Sequence, residues 1–292
     1  MSIFKGAATA LITPFVNDTV DYDNLEKLVV KQLEGNIDAL VINGTTGEPT
    51  TMTHKERTKV ASTVIEIVNK KVPVILGAGS NNTYTVIEYA KENEDLGADA
   101  ILTVTPYYNK CTQNGIVAHY KAIADSVNLP IIMYNVPGRT GVNIAPETAL
   151  KLAGYKGITA IKEASGNINQ FMEVARLCNG KLDIYSGDDG LVLPILALGG
   201  IGVISVASNI CPQYMHDLCE NYFSGNVEKC REMQFKLNPL VDALFSEVNP
   251  IPVKAAAKLV GLIKDDYMRL PLTPSTKVDY IREELVKFGF NI

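Results

Sequence analysis

The sequence predicts an α/β fold: a (β/α)8 TIM barrel with a C-terminal helical extension. Three observations predict it. Eight short apolar runs, rich in Val, Ile and Leu, recur at roughly even intervals. Longer amphipathic stretches lie between them. After the eighth unit, near residue 225, strand-like runs stop and helical patterning continues to the end. An open doubly wound sheet is the alternative, and eight evenly spaced βα units favour the closed barrel.

The strand-like runs are 7–13, 39–43, 72–77, 100–105, 130–135, 158–163, 183–187 and 202–207. Each is nearly continuous in apolar character, as a strand buried on both faces must be. Residues 21–34 place Leu25, Leu28, Val29 and Leu33 at helical spacing, and 54–69 place Val60, Val64, Ile65 and Val68 likewise. Thr53 with Glu56 reads as a capping box, and Pro146 as a proline in the first helical turn. Residues 191–208 are the most apolar stretch. Pro194 and Gly199-Gly200 make it a helix, a turn and a buried strand rather than a membrane span. The final helices are expected at 227–247, 251–260 and 274–287. The expected organisation is therefore a barrel over 1–225, carrying the active site, and a helical extension over 226–292.

Composition narrows the function classes. The 292 residues carry 27 Lys and Arg against 32 Asp and Glu, a net charge of −5, with no basic stripe. Nucleic acid is not the expected partner. Five cysteines without a CxxC pair, and three histidines, fit free thiols in a reducing compartment better than zinc. No metal and no cofactor is expected. The N-terminus lacks the charged region and apolar stretch of a signal peptide, so the expectation is a cytoplasmic protein without a membrane segment.

In a barrel of this kind chemistry sits at the carboxyl ends of the strands. Lys162 ends the sixth run, after Ile158-Thr159-Ala160-Ile161. A lysine there is disfavoured unless paired or useful. Burial favours its free amine, which can attack a carbonyl to form a Schiff base. The competing reading is an ion pair with Glu163 or another carboxylate. Tyr134 ends the preceding run and could shuttle protons beside the lysine, or be a buried tyrosine with one satisfied hydrogen bond. Thr45 and Thr46 lie in a glycine-flanked turn suited to a carboxylate, or to plain capping. Arg139 follows the fifth run; it could clamp a substrate carboxylate or be a solvated charge. Tyr107-Tyr108 form a loop that covers a site or an interface.

Other motifs are weak. Gly77-Ala78-Gly79 lacks a third glycine, no phosphate-loop or HExxH pattern occurs, and Gly199-Gly200-Ile201-Gly202 has no basic neighbour. His54, His119 and His216 stand apart on helical segments.

Taken together, Tyr134-Asn135-Val136-Pro137-Gly138-Arg139-Thr140-Gly141, Ile161-Lys162-Glu163-Ala164 and Gly44-Thr45-Thr46-Gly47-Glu48 resemble one family. It is the pyruvate-dependent class I N-acetylneuraminate lyase/dihydrodipicolinate synthase family, and the synthase branch is the better match. The resemblance runs from Gly6-Ala7 to Arg269-Leu270-Pro271-Leu272. It implies that Lys162 condenses with pyruvate and that the enamine attacks L-aspartate 4-semialdehyde. It implies a proton relay of Tyr134, Thr45 and Tyr108, with Tyr108 reaching into a neighbouring subunit. Thr46 would bind the pyruvate carboxylate through its hydroxyl or its backbone N–H, and Arg139 the semialdehyde carboxylate. Gly187 and Ile204 would offer backbone carbonyls. A homo-oligomer is implied, as a dimer of dimers.

The family's lysine effector site is matched only in part. Asn81, His54 and Tyr107 look retained, whereas Thr85 stands for a glutamate, Arg57 for a histidine, and Pro49-Thr50 for small residues. Weak or absent lysine inhibition is the expectation. The rival activity is another lyase on this scaffold, such as N-acetylneuraminate lyase or a keto-deoxy-sugar-acid aldolase. A non-catalytic barrel that binds a keto acid is a further reading. Arg139 and the double threonine favour a small carboxylate-bearing aldehyde, and a binding module needs no proton relay.

Overall fold

All eight apolar runs form strands in the computed structural model, which describes residues 2–292. In chain order the strands are β1 (Gly6–Ala10), β2 (Phe15–Val16), β3 (Thr19–Val20), β4 (Ala39–Ile42), β5 (Val74–Gly77), β6 (Ala100–Val104), β7 (Ile131–Asn135), β8 (Ile158–Glu163), β9 (Asp183–Ser186) and β10 (Gly202–Ser205). Eight close into a barrel in the order β1-β10-β9-β8-β7-β6-β5-β4. β2 and β3 form a separate antiparallel hairpin, which the sequence pattern did not predict. Its turn, Asn17-Asp18, takes left-handed backbone at both residues, the geometry of a tight hairpin turn.

The intervening helices are α1 (Tyr22–Glu34), α2 (His54–Val68), α3 (Thr83–Asp95), α4 (Gln113–Ala124), α5 (Pro137–Thr140), α6 (Pro146–Leu152), α7 (Ile168–Cys178), α8 (Val192–Ala197) and α9 (Pro212–Phe223). Three more follow: α10 (Val227–Leu244), α11 (Ile251–Leu259) and α12 (Val278–Phe288). The capping box of α2 forms in both directions between Thr53 and Glu56, and Pro146 opens α6. The last helix begins later than expected, at Val278 rather than residue 274. Ser275 and Thr276 donate their hydroxyls to Glu247 instead, which holds that stretch out of the helix. Among the described residues no helix is long and apolar enough to cross a membrane. The five cysteines are free thiols.

The chain sorts into two compact units. One holds Pro73–Ile204 with the few residues before Gly6; the other holds Gly6–Val72 and Ser205–Ile292. The first is built around an apolar cluster including Ile101, Tyr120, Met133, Ile161, Phe171 and Ile184. Tyr185 pins its N-terminal residues by stacking on Phe4 with ring centroids 4.2 Å apart and donating to the Phe4 carbonyl at 2.8 Å. In the second unit buried amides tie β1 to the segment after β10. Asn209 donates from Nδ2 to the Ala10 carbonyl and accepts from the Ile12 N–H, and Gln32 donates to the Ser208 carbonyl. These bonds satisfy backbone groups that burial would otherwise strand.

Candidate active site

In the first unit, Tyr134 and Lys162 are register partners across the parallel pair β7 and β8. Both are buried. The Lys162 Nζ lies 4.5 Å from the centroid of the Tyr134 ring, within cation–π reach. Burial lowers the Lys162 pKa to about 8; Asp189 raises it and Arg139 lowers it further. An amine in that range is available for attack on a carbonyl near neutral pH.

Glu163 takes no part in this. Successive strand residues face opposite sides, so the carboxylate points away from the Lys162 amine. It accepts from the Ser165 N–H at 2.7 Å, from Asn135 Nδ2 at 2.9 Å and from Gln170 Nε2 at 3.0 Å. Among the described residues no ion pair joins Lys162 to Glu163. Asn135 is the register partner of Glu163, so the bond reinforces the pairing that sets Tyr134 beside Lys162.

Gly187, after β9, is packed closely on Ala164 and Lys162. A Cβ there would come within 2.9 Å of Lys162 Cε and 2.5 Å of the Ala164 Cβ. Asp189 is buried; Asp188 accepts from the Gly190 N–H and caps that short turn. Ile204 is buried within β10. Arg139 is exposed on α5, a single turn begun by Pro137 and ended by Gly141 in left-handed backbone. Tyr108 is 90% exposed, and its backbone is also left-handed at φ 73°. Tyr107 is half-buried. Asn109, two residues on, donates to the Asn81 carbonyl at 2.9 Å. This joins the loop after β6 to the loop after β5, ahead of α3, which carries Thr85.

The second unit carries the threonine turn. Thr45–Gly47 forms a 3-10 turn after β4, and Glu48 closes it in left-handed backbone at φ 56°. Thr45 is exposed and Thr46 buried. Asn249 Nδ2 donates to Thr46 Oγ1 at 3.0 Å. Glu48 is paired with Lys254 of α11 at 2.8 Å, both side chains essentially without exposure. Lys254 also donates to the Tyr267 carbonyl at 2.8 Å and lies over the Phe15 ring. Burial pushes the Glu48 carboxyl up and the Lys254 amine down, while each opposes the shift of the other. Arg269 binds Glu56, Asp18 and the Thr51 carbonyl. Its guanidinium holds the Glu56 carboxyl down at about 2. His54 opens α2 and is exposed; Arg57 lies one turn on and is partly buried. Among the described residues no cluster of His, Cys, Asp and Glu is arranged to hold a metal.

A family model described as the dihydrodipicolinate synthetase family matches residues 3–287. The chain belongs to that family. A relative from Caldicellulosiruptor bescii, named 4-hydroxy-tetrahydrodipicolinate synthase, is 50% identical over all of this chain and 99% of its own length. The crystal structure of dihydrodipicolinate synthase from Thermotoga maritima superposes with a TM-score of 0.97 at 46% identity, covering 99% of this chain and 100% of that one. A monomeric dihydrodipicolinate synthase variant gives the same TM-score and identity, covering 99% and 98%. The family match spans both compact units.

Sequence reasoning singled out Lys162 and Tyr134, which the structure brings together. It missed Asp189, Asn249 and Lys254. Lys254 carried a readable signal, since it interrupts an apolar helical run, Ile251–Leu259, just as Lys162 interrupts an apolar strand. Asn249 gave none, because its partner lies 203 residues away.

Proposed function

We propose that this protein condenses pyruvate with L-aspartate 4-semialdehyde through a Schiff base on Lys162, giving 4-hydroxy-tetrahydrodipicolinate for diaminopimelate and lysine biosynthesis. The observation that carries the mechanism is a buried lysine of lowered pKa in register with a tyrosine. The Lys162 amine adds to the pyruvate ketone, and the carbinolamine loses water to form an imine. Loss of a methyl proton gives the enamine, whose carbon bonds to the semialdehyde carbon. The semialdehyde's amino group then attacks the imine carbon. The ring closes and the Lys162 amine leaves, so one water is released overall and no oxidant or cofactor is needed.

Tyr134, Thr45 and Tyr108 serve as the proton relay in this reading. Support comes from Tyr134 beside the amine and from Tyr108, a 90% exposed aromatic on left-handed backbone. Such a side chain suits insertion into a second copy of the chain. The expected assembly is a homo-oligomer, a dimer of dimers, in the cytoplasm. The monomeric variant among the relatives makes sedimentation a direct test of that assembly. Thr46 receives the pyruvate carboxylate and Arg139 that of the semialdehyde; Gly187 and Ile204 present carbonyls to the incoming amino and hydroxyl groups. The barrel over 1–225 carries this chemistry and the helices over 226–292 support it.

The test is turnover of both substrates, coupled to a nucleotide-dependent reductase and followed by nucleotide oxidation. Turnover lost in Lys162→Ala supports the reading. Borohydride trapping of pyruvate without turnover keeps the Schiff base and discards the aldehyde. Sugar-acid cleavage would then be assayed.

A further inference from the structure

The sequence motif Gly44-Thr45-Thr46-Gly47-Glu48 contains a glutamate for which the proposed chemistry has no use. Its side chain is buried on Lys254, and two residues earlier Thr46 accepts a hydrogen bond from Asn249. These are two parallel ties between the same segments, 46–48 and 249–254. The second segment belongs to the helices after the barrel. Asn249 stands just before α11, and Lys254 lies one turn into it, donating its N–H to the Pro250 carbonyl at 3.1 Å. The clamp holds a left-handed Glu48, a conformation that costs energy for a residue with a Cβ.

We propose that Asn249 is a positioning residue for pyruvate, fixing the direction in which Thr46 donates, with the Lys254–Glu48 pair anchoring the turn. The inference rests on the reading that Thr46 receives the pyruvate carboxylate, and on its hydroxyl rather than its backbone N–H being the donor. A hydroxyl has one hydrogen and two lone pairs. The Asn249 amide occupies a lone pair of Thr46. The hydroxyl hydrogen is thereby left to donate elsewhere, and a carboxylate oxygen is the strongest acceptor it can meet. Without the amide, the hydroxyl can spend its hydrogen on other acceptors. With an acceptor in its place, the hydroxyl turns round and donates away from the substrate. The Asn249–Thr46 tie thus favours an α-keto acid over a keto compound without the carboxylate.

The test is pyruvate trapping by borohydride, read by mass on the full-length protein, together with KM for each substrate. Losing a hydrogen bond to a charged group weakens binding by about tenfold or more. Asn249→Ala should raise the pyruvate concentration for half-maximal trapping by roughly that factor, with the KM for the semialdehyde unchanged. Asn249→Asp keeps the shape but replaces the donor by an acceptor, and should be weaker still. On a Thr46→Val background, Asn249→Ala should add nothing. Unchanged pyruvate binding in Asn249→Asp overturns the proposal, and that isosteric variant decides the matter if Asn249→Ala fails to fold. Equal losses with and without the Thr46 hydroxyl also overturn it. If the unmodified protein is not trapped by pyruvate, the catalytic reading falls and takes this inference with it. If it is trapped and only the Asn249 variants are silent, the catalytic reading stands alone.

Discussion

Replacing the lysine at the heart of the proposed chemistry should make the fold stronger. Lys162 has 5% exposure, and its pKa falls from 10.5 to about 8. The unfolded chain keeps the ordinary value. Below pH 8 both states hold the proton, and the fold bears the full cost of a buried ammonium. At 1.36 kcal/mol per unit of pKa, that cost at pH 7 is about 3 kcal/mol. Between about pH 8 and 10.5 the unfolded state binds more protons, so the penalty fades as pH rises. At pH 9.5 it should be roughly 1.4 kcal/mol. Lys162→Met keeps most of the stem and removes the charge. Its expected signature is no pyruvate trapping, together with a gain of about 3 kcal/mol at pH 7 in urea denaturation. In thermal melts this is roughly 6–12 °C. The gain should shrink by more than half at pH 9.5. A variant no more stable than the parent at pH 7, or a gain that persists to pH 9.5, would refute the reasoning.

The charges around Lys162, the buried Glu48–Lys254 pair and the residues at 85 and 57 each give a further outcome. The rate of pyruvate trapping should rise with pH through an inflection near pH 8; Asp189→Asn should move it down, because Asp189 is the charge that raises Lys162, and Arg139→Gln should move it up. An inflection insensitive to both charges would contradict this. Lys254→Met leaves the Glu48 carboxylate buried without its cation and should cost about 3–5 kcal/mol in denaturant titration, largely restored by adding Glu48→Leu; equal stability of the single variant and the parent would refute it. Thr85 offers no carboxylate to a lysine ammonium, worth about 1.5–3 kcal/mol, and Arg57 adds like charge. Turnover should therefore persist in millimolar lysine, and strong micromolar inhibition would overturn that expectation.

The barrel strands were legible because each is short, apolar and buried on both faces, a pattern few other elements share. The helix at residue 54 was legible because Thr53 and Glu56 signal its start locally. The hairpin β2–β3 was not, since two-residue strands are too short to show alternation. The late start of α12 was hidden as well, because the competing partner of Ser275 and Thr276 is Glu247, far back in the chain. At the site, the link between Tyr134 and Lys162 was visible as one βα unit of spacing. The orientation of Glu163 was not: sequence adjacency suggests an ion pair with Lys162, whereas strand alternation turns the carboxylate to Ser165, Asn135 and Gln170. What stayed hidden were long-range polar ties: Asn249 to Thr46 and Lys254 to Glu48. A sequence shows that a buried charge needs a partner, but not which one.

The Lys254–Glu48 pair also sets an order of events during synthesis. Its partners are 206 residues apart, so at about 5–20 residues per second a ribosome needs roughly 10–40 s to travel from one to the other. The run Pro73–Ile204, with Tyr134 and Lys162, is complete by then. Through that interval Glu48 lacks Lys254, and the threonine turn lacks its anchor. A chain released early, before α11, would possess the nucleophile but not the fixed turn. Full-length translation is thus recorded in the site itself, because the last helices to be made complete one of the first loops.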